Sequence, residues 1–196
     1  MNGFFRSLGP TLMAISGWAA EPLFSLPSTP APPPAVTLPT PSPVQLARLR
    51  VEAETGDWRP GRQRTFLLAI APLALVVAAE MNLPPSLLLA QAAHESGWGR
   101  SRPARELNNL FGHTRRDGLV EYADWEASVR AHAELLGRSP KYAAARAARS
   151  WRPALRALAA VYAADPEYAP RVAALVDQWG LDRWDADFVA RTSEAS

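Results

Sequence analysis

The sequence predicts a mostly helical α+β body with one small β excursion. Apolar residues recur at three- and four-residue steps through Phe66, Leu67, Ile70, Leu73, Ala74 and Val77, the signature of an amphipathic helix. Helix-start and helix-stop residues then follow at regular intervals, and a single Asp117-Gly118 turn signal sits between two short strands.

Each element has its own local reason. The first helix of the body ends near Asn82, and Pro84-Pro85-Ser86 opens the next. A proline in the first turn costs that helix no hydrogen bond, because the first amides have no partner inside the helix. Leu87 to Ser96 continues this second helix, and Gly97 and Gly99 stop it. Arg100 to Asn109 reads as a polar loop, and Gly112 to Tyr122 as the two strands around Asp117-Gly118. Asp124 stands where an N-cap is needed for a helix from Trp125 to Gly137. Ser139-Pro140 and alanine-rich turns lead to a helix near Trp151–Tyr162. Asp165-Pro166 opens the last helix, which runs to about Trp179 with Gly180 as its stop.

Composition narrows the function classes. The chain has 196 residues, 48% hydrophobic and 20% charged, which suits a folded body rather than a disordered one. Its 21 basic and 19 acidic side chains leave +2, too little to imply nucleic acid, and the alanine-arginine run at 143–156 lacks interleaved aromatics. The first 60 residues hold four Arg and four Asp/Glu, so the excess, 17 against 15, lies downstream. With no cysteine there is no disulfide, thiolate nucleophile or zinc-thiolate site. A histidine metal site would need nearly all of His94, His113 and His132, so no metal and no cofactor is expected.

The N-terminal third reads as an accessory. Residues 1–20 place one Arg before a short apolar stretch, with small residues around Trp18, and read as an export signal or a tail. Pro10 and the glycines interrupt that stretch, so no stable membrane insertion is expected. From Pro22 to Pro43 there are nine prolines in 22 residues and no charge, a composition that favours polyproline II. Residues 21–60 are therefore a linker, or a ligand for a docking partner, with one short helix between Val44 and Trp58. Phe66 to Ala79, 14 residues interrupted by Pro72, reads as a core helix rather than a membrane span. The folded domain is placed at 61–186 and a tail at 187–196.

The segment Gln91-Ala92-Ala93-His94-Glu95-Ser96-Gly97-Trp98-Gly99 carries the chemistry. Glu95 is a lone acid at the end of an apolar helix. Burial disfavours the charged carboxylate and the helix C-terminus adds negative potential, so both raise its pKa and keep it protonated. A protonated carboxyl is what cleavage of a glycosidic bond needs at the leaving oxygen. The glycines are read as clearing space for a substrate. The competing reading is a surface pair of Glu95 with Arg100 or Arg102.

The residues around Glu95 resemble a known family. HESGWG at 94–99 and Asn108-Asn109-Leu110-Phe111-Gly112 are similar to the signature of the bacterial glucosaminidase family, glycoside hydrolase family 73. LLGRSPKYAAA at 135–145 and YAADPEYAPRV at 162–172 resemble the hydrolase half of flagellar peptidoglycan hydrolases. Together the matching blocks span 66–180, about 115 residues, in the family's order. The resemblance implies a lysozyme-like fold with a short β-hairpin lobe. It also implies cleavage of peptidoglycan glycan strands, outside the cytoplasm, at the β-1,4 bond between N-acetylglucosamine and N-acetylmuramic acid. Glu95 matches the family's general acid, and Tyr162 its cleft tyrosine.

Other residues near the expected cleft keep two readings each. Trp98 is a sugar platform or a wall around Glu95, and Asn109 holds the loop or reads a hydroxyl. Phe111 and His113 sit where the chain leaves that loop, and Asp165 caps the last helix or touches sugar. HTRRDGLVEY at 113–122 is shorter than the family's β-lobe, which supplies a second acid. Asp117 reads as a turn residue, and Glu121, on the second strand, faces cleft or solvent. With a second carboxylate the reaction inverts; without one the substrate's N-acetyl group acts as nucleophile, oriented by Tyr162. A lytic transglycosylase and a non-catalytic glycan-binding module remain the alternatives. Residues 1–60 do not resemble a flagellar rod-assembly domain, so the flagellar role is not implied.

Overall fold

A computed structural model describes residues 42–189, so the expectations for residues 1–41 and 190–196 lie outside the described residues. Helices dominate, and the only sheet among the described residues is a two-stranded hairpin, as the patterning predicts.

Helix α1 (Pro43–Glu54) starts on a capping box: the Gln45 amide donates to Ser42 Oγ at 3.3 Å, and the Ser42 amide donates to Gln45 Oε1 at 2.7 Å. It lies on α2 (Arg62–Met81), burying Val51. Trp58, just past it, is also buried, with its ring edge-on to Trp179 and Trp184 and its indole N–H donating to the Trp179 carbonyl at 3.0 Å. The body therefore reaches further back than residue 61, because a large aromatic in the interval assigned to the linker fills a slot in the core. The C-terminal edge moves too: Phe188, placed in the tail, is fully buried.

At 20 residues α2 is longer than expected, and by length and composition long enough to cross a membrane. In this fold α1, α3 (Pro85–Ser96) and α5 (Trp125–Arg138) pack on it, with Phe66, Leu67, Ile70, Ala74 and Val77 in the core. Asn82, in the left-handed region at φ 52°, ends it.

Helix α3 is the centre of the domain and contacts α2, α5, α7 (Trp151–Tyr162) and α8 (Tyr168–Trp179). Residues 85–93 are buried without a break, so the first two and a half turns of the helix are covered all round. Asp185 caps it from across the fold, accepting from the Ser86 amide at 3.0 Å and the Ser86 hydroxyl at 2.6 Å. The interval read as a polar loop contains a short helix, α4 (Arg102–Glu106), capped by the Ser101 hydroxyl. Next come β1 (Thr114–Arg115) and β2 (Gly118–Leu119), with Thr114 opposite Leu119 and Arg115 opposite Gly118. The turn is thus Arg116-Asp117, one residue earlier than expected.

Helix α5 (Trp125–Arg138) has the expected cap, the Ala127 amide donating to Asp124 Oδ1 at 2.7 Å. A 3-10 turn (Pro140–Tyr142) and α6 (Ala143–Arg146) lead to α7 (Trp151–Tyr162). Helix α8 (Tyr168–Trp179) begins later than expected and stops at Gly180, φ 55°. Asp165 forms the turn before it, accepting from the Glu167 amide at 2.9 Å. A 3-10 turn (Leu181–Trp184) brings Asp185 to the start of α3.

Candidate active site

Two functional side chains come from one face of α3. Gln91 and Glu95 are four residues apart, so both point the same way from the helix. The end of α3 is built as a tight cap. Gly97 is left-handed at φ 55°, and the Trp98 amide reaches back to the Ala93 carbonyl at 2.9 Å. The buried Ser96 hydroxyl donates to the Ala92 carbonyl and accepts from the Gly99 amide at 2.7 Å. A side chain at Gly99 would place its Cβ 2.5 Å from the Trp125 ring. This corrects the sequence reading of that glycine: its missing side chain makes room for Trp125, not for a substrate.

Glu95 is half-buried, and burial pushes its carboxyl above the ordinary carboxylate range. The charge of His94 and a hydrogen bond from the Tyr168 hydroxyl pull the other way without overcoming burial. Tyr168, buried at the start of α8, also accepts from Gln91 Nε2 at 2.7 Å. Tyr162, the last residue of α7, stands beside it with ring centroids 5.5 Å apart. Burial and the nearby Glu95 charge both push the Tyr162 phenol upward, so it stays protonated and can donate.

Tyr162 also lines a surface groove of about 440 Å³, together with Phe111, His113, Arg115, Val120 and Tyr122. No Asp or Glu lines this groove. Among the described residues no three His, Asp or Glu side chains converge as a metal site would require. What the arrangement offers is one carboxyl of raised pKa, two neutral phenols beside it, and a groove running off from one of those phenols.

Residues 71–181 match the family described as glucosaminidase, mannosyl-glycoprotein endo-beta-N-acetylglucosaminidase. The chain belongs to the glucosaminidase family. The exo-glucosaminidase LytG of Bacillus subtilis is 29% identical over 63% of this chain and 54% of its own length. The peptidoglycan hydrolase FlgJ of Escherichia coli K12 is 32% identical over 68% of this chain and 52% of its own. The chain thus spans about half the length of these two relatives. Among solved structures, the catalytic domain of the autolysin Auto from Listeria monocytogenes superposes with a TM-score of 0.59 at 27% identity, covering 76% of this chain and all of that one.

Within this glucosaminidase fold, the residues singled out in the sequence have distinct fates. Glu95 and Tyr162 come together, and Phe111 and His113 line the groove. Asn109 does not reach it. At 1% exposure, its amide donates to the His113 and Val120 carbonyls at 2.8 and 2.9 Å and accepts from the His113 amide, so every polar atom holds the hairpin base. Trp98 packs edge-on to Phe66 and tilted against Trp179, within an aromatic cluster. Asp165 is exposed and paired with Arg171. Glu121 lies beyond the second strand rather than on it, and is exposed. Its neighbours Val120 and Tyr122 line the groove, and in extended backbone alternate side chains face opposite ways, so Glu121 points outward.

Sequence reading missed Tyr168, His132 and the role of Gln91. Gln91 had a signal, since it is one turn before the acid on the same face of α3. Tyr168 lies in the YAADPEYAPRV block, but nothing local distinguishes it from a core tyrosine. His132 is fully buried with its ring stacked on Phe111 at 3.8 Å, which no pattern along α5 announces.

Proposed function

We propose that the protein is a peptidoglycan hydrolase that cuts the β-1,4 bond between N-acetylglucosamine and N-acetylmuramic acid. The relatives named as an exo-glucosaminidase and a peptidoglycan hydrolase support the substrate class. The observation that carries the mechanism is the half-buried Glu95 carboxyl of raised pKa beside Tyr162, a phenol that lines a groove with no Asp or Glu among its lining residues.

Glu95 protonates the bridging oxygen as the bond from that oxygen to the anomeric carbon breaks. With no carboxylate in the groove, the acetamido oxygen of the same sugar attacks the anomeric carbon and closes an oxazolinium ring. The neutral Tyr162 phenol donates to the acetamido group and holds it in line. Water then opens the ring, and the Glu95 carboxylate takes the proton released. The anomeric configuration is retained. Such an enzyme works outside the cytoplasm, where its substrate lies. We place residues 61–186 as its catalytic portion, with the segment from 43 to 60 and Phe188 completing the core.

The test is digestion of purified sacculi with analysis of the released fragments. Wild-type protein should yield N-acetylglucosamine reducing ends, and Glu95→Gln should lose about 10²–10⁴-fold in rate. Because the acid must be protonated, activity should fall as pH rises through the raised Glu95 pKa. Anhydro-muramic ends would replace the hydrolase by a lytic transglycosylase. Equal clearing by wild type and Glu95→Gln would remove Glu95 from the reaction, and no release by either would leave a glycan-binding module.

A further inference from the structure

Glu95 is the end of a hydrogen-bonded chain that starts on the hairpin side of the groove. Tyr122 Oη lies 2.6 Å from His113 Nδ1, and His113 Nε2 lies 3.0 Å from His132 Nδ1. His132 Nε2 faces Gln91 Oε1 at 3.5 Å, the longest link. Gln91 Nε2 donates to Tyr168 at 2.7 Å, and Tyr168 is hydrogen-bonded to Glu95. These five links join the hairpin region, α5, α3 and α8.

The direction of every link follows from the last. Tyr168 donates to Glu95, the direction in which this bond pulls the Glu95 pKa down, and the carboxylate left after proton transfer, having no hydrogen to give, requires the same direction. The Tyr168 oxygen then accepts from the Gln91 amide nitrogen, which turns the Gln91 carbonyl toward His132. His132 must donate to that carbonyl from Nε2, leaving Nδ1 to accept from His113 Nε2–H. His113 Nδ1 is left to accept from the Tyr122 hydroxyl. Burial disfavours the charged form of both imidazoles, as this pattern requires. The stacking of His132 on Phe111 at 3.8 Å and 7° fixes the ring plane in which its two nitrogens point.

From this geometry we infer that His113, His132 and Gln91 are positioning residues, and that their one-way chain fixes the Tyr168 hydroxyl on one oxygen of Glu95. The other oxygen is left to carry the proton toward the substrate. The same hydroxyl stabilises the carboxylate once the proton has gone. Gln91 cannot pass a proton on from its amide, so the chain conveys orientation and not protons. This inference rests on Glu95 being the general acid and adds what aims it.

His132 is the place to test it, since it is fully buried and away from the groove surface. His132→Phe keeps a ring on Phe111 and removes both nitrogens. It should lower kcat by about fivefold, the worth of one hydrogen bond, with KM unchanged. The alkaline limb of the pH profile should move upward, because the carboxylate loses a donor that holds its pKa down. His132→Gln, which offers a donor and an acceptor at the same place, should restore both. An unchanged profile in a folded His132→Phe, or a His132→Gln as impaired as His132→Phe, would overturn the chain. Nitrogen NMR of the unmutated protein gives a readout free of folding effects: both imidazoles should be neutral and protonated at Nε2, and a proton on either Nδ1 refutes the assignment. Loss of activity in Glu95→Gln beside an indifferent His132→Phe would sink only the chain. Activity retained in Glu95→Gln would sink the general acid itself.

Discussion

Two glycines at the end of α3 look alike in sequence and differ in what they protect. Gly97 and Gly99 are both left-handed, at φ 55° and 72°. No atom lies within 4 Å of a Cβ built at Gly97, so Gly97→Ala meets only the backbone cost of that conformation, about 1 kcal/mol. At Gly99 the added Cβ lies 2.5 and 2.8 Å from two Trp125 ring carbons and 3.1 Å from the Phe66 ring. Trp125 must move, yet its indole N–H donates to the Ala104 carbonyl at 3.0 Å. To the backbone cost Gly99→Ala adds about 1–3 kcal/mol of overpacking. It also adds about 1 kcal/mol for the strained hydrogen bond. The total is about 3–5 kcal/mol. For a chain of this size, melting temperature falls about 2–4 °C per kcal/mol. Thermal unfolding followed by circular dichroism should therefore show Gly97→Ala down about 2–4 °C and Gly99→Ala down about 6–20 °C. Equal shifts for the two variants would refute the claim that Trp125 is what demands glycine at 99.

Two further outcomes follow from the structure. Asp185, buried at the start of α3, has its pKa raised to about 6 despite its bonds to Ser86. A raised acid keeps its proton in the folded state while the unfolded chain has already lost it. Stability should therefore fall by up to about 3 kcal/mol as pH rises from about 4 to 6 and stay level beyond. Asp185→Asn removes that slope, so urea unfolding should find the variant gaining on wild type between pH 4 and pH 7; a constant difference would count against the buried, raised carboxyl. Asn109→Ala strips three hydrogen bonds from the hairpin base and should cost about 2–4 kcal/mol in urea unfolding. The same change should loosen His113 and raise KM on sacculi; an unaltered KM would show that the hairpin base does not shape the groove.

Much of the helical framework was legible because its signals are local. The Asp124 cap, the proline start of α3 and the glycine stops at 97 and 180 each depend on residues a few positions apart. The acid was legible for a similar reason, as a lone charge ending an apolar helix inside a family-like block. The edges of the body were not. Val51, Trp58 and Phe188 are core residues, but their partners sit elsewhere in the chain, so the flanks read as linker and tail. The side Glu121 faces stayed open in the sequence, because a shift of one position in a short strand exchanges the groove side for the solvent side.

The sequence alone determined that helices would enclose an apolar central segment, and that this segment would end on a carboxyl with raised proton affinity. Periodicity, caps and the burial of an acid are properties of neighbours along the chain. Only the tertiary structure decided what that carboxyl touches. Gln91 and Tyr168 are 77 positions apart and His132 stands 41 from Gln91, so their meeting depends on how α3, α5 and α8 pack. Which glycine serves a tryptophan, and which acids stay out of the groove, were settled in the same way, by contacts between elements that carry no trace in local sequence.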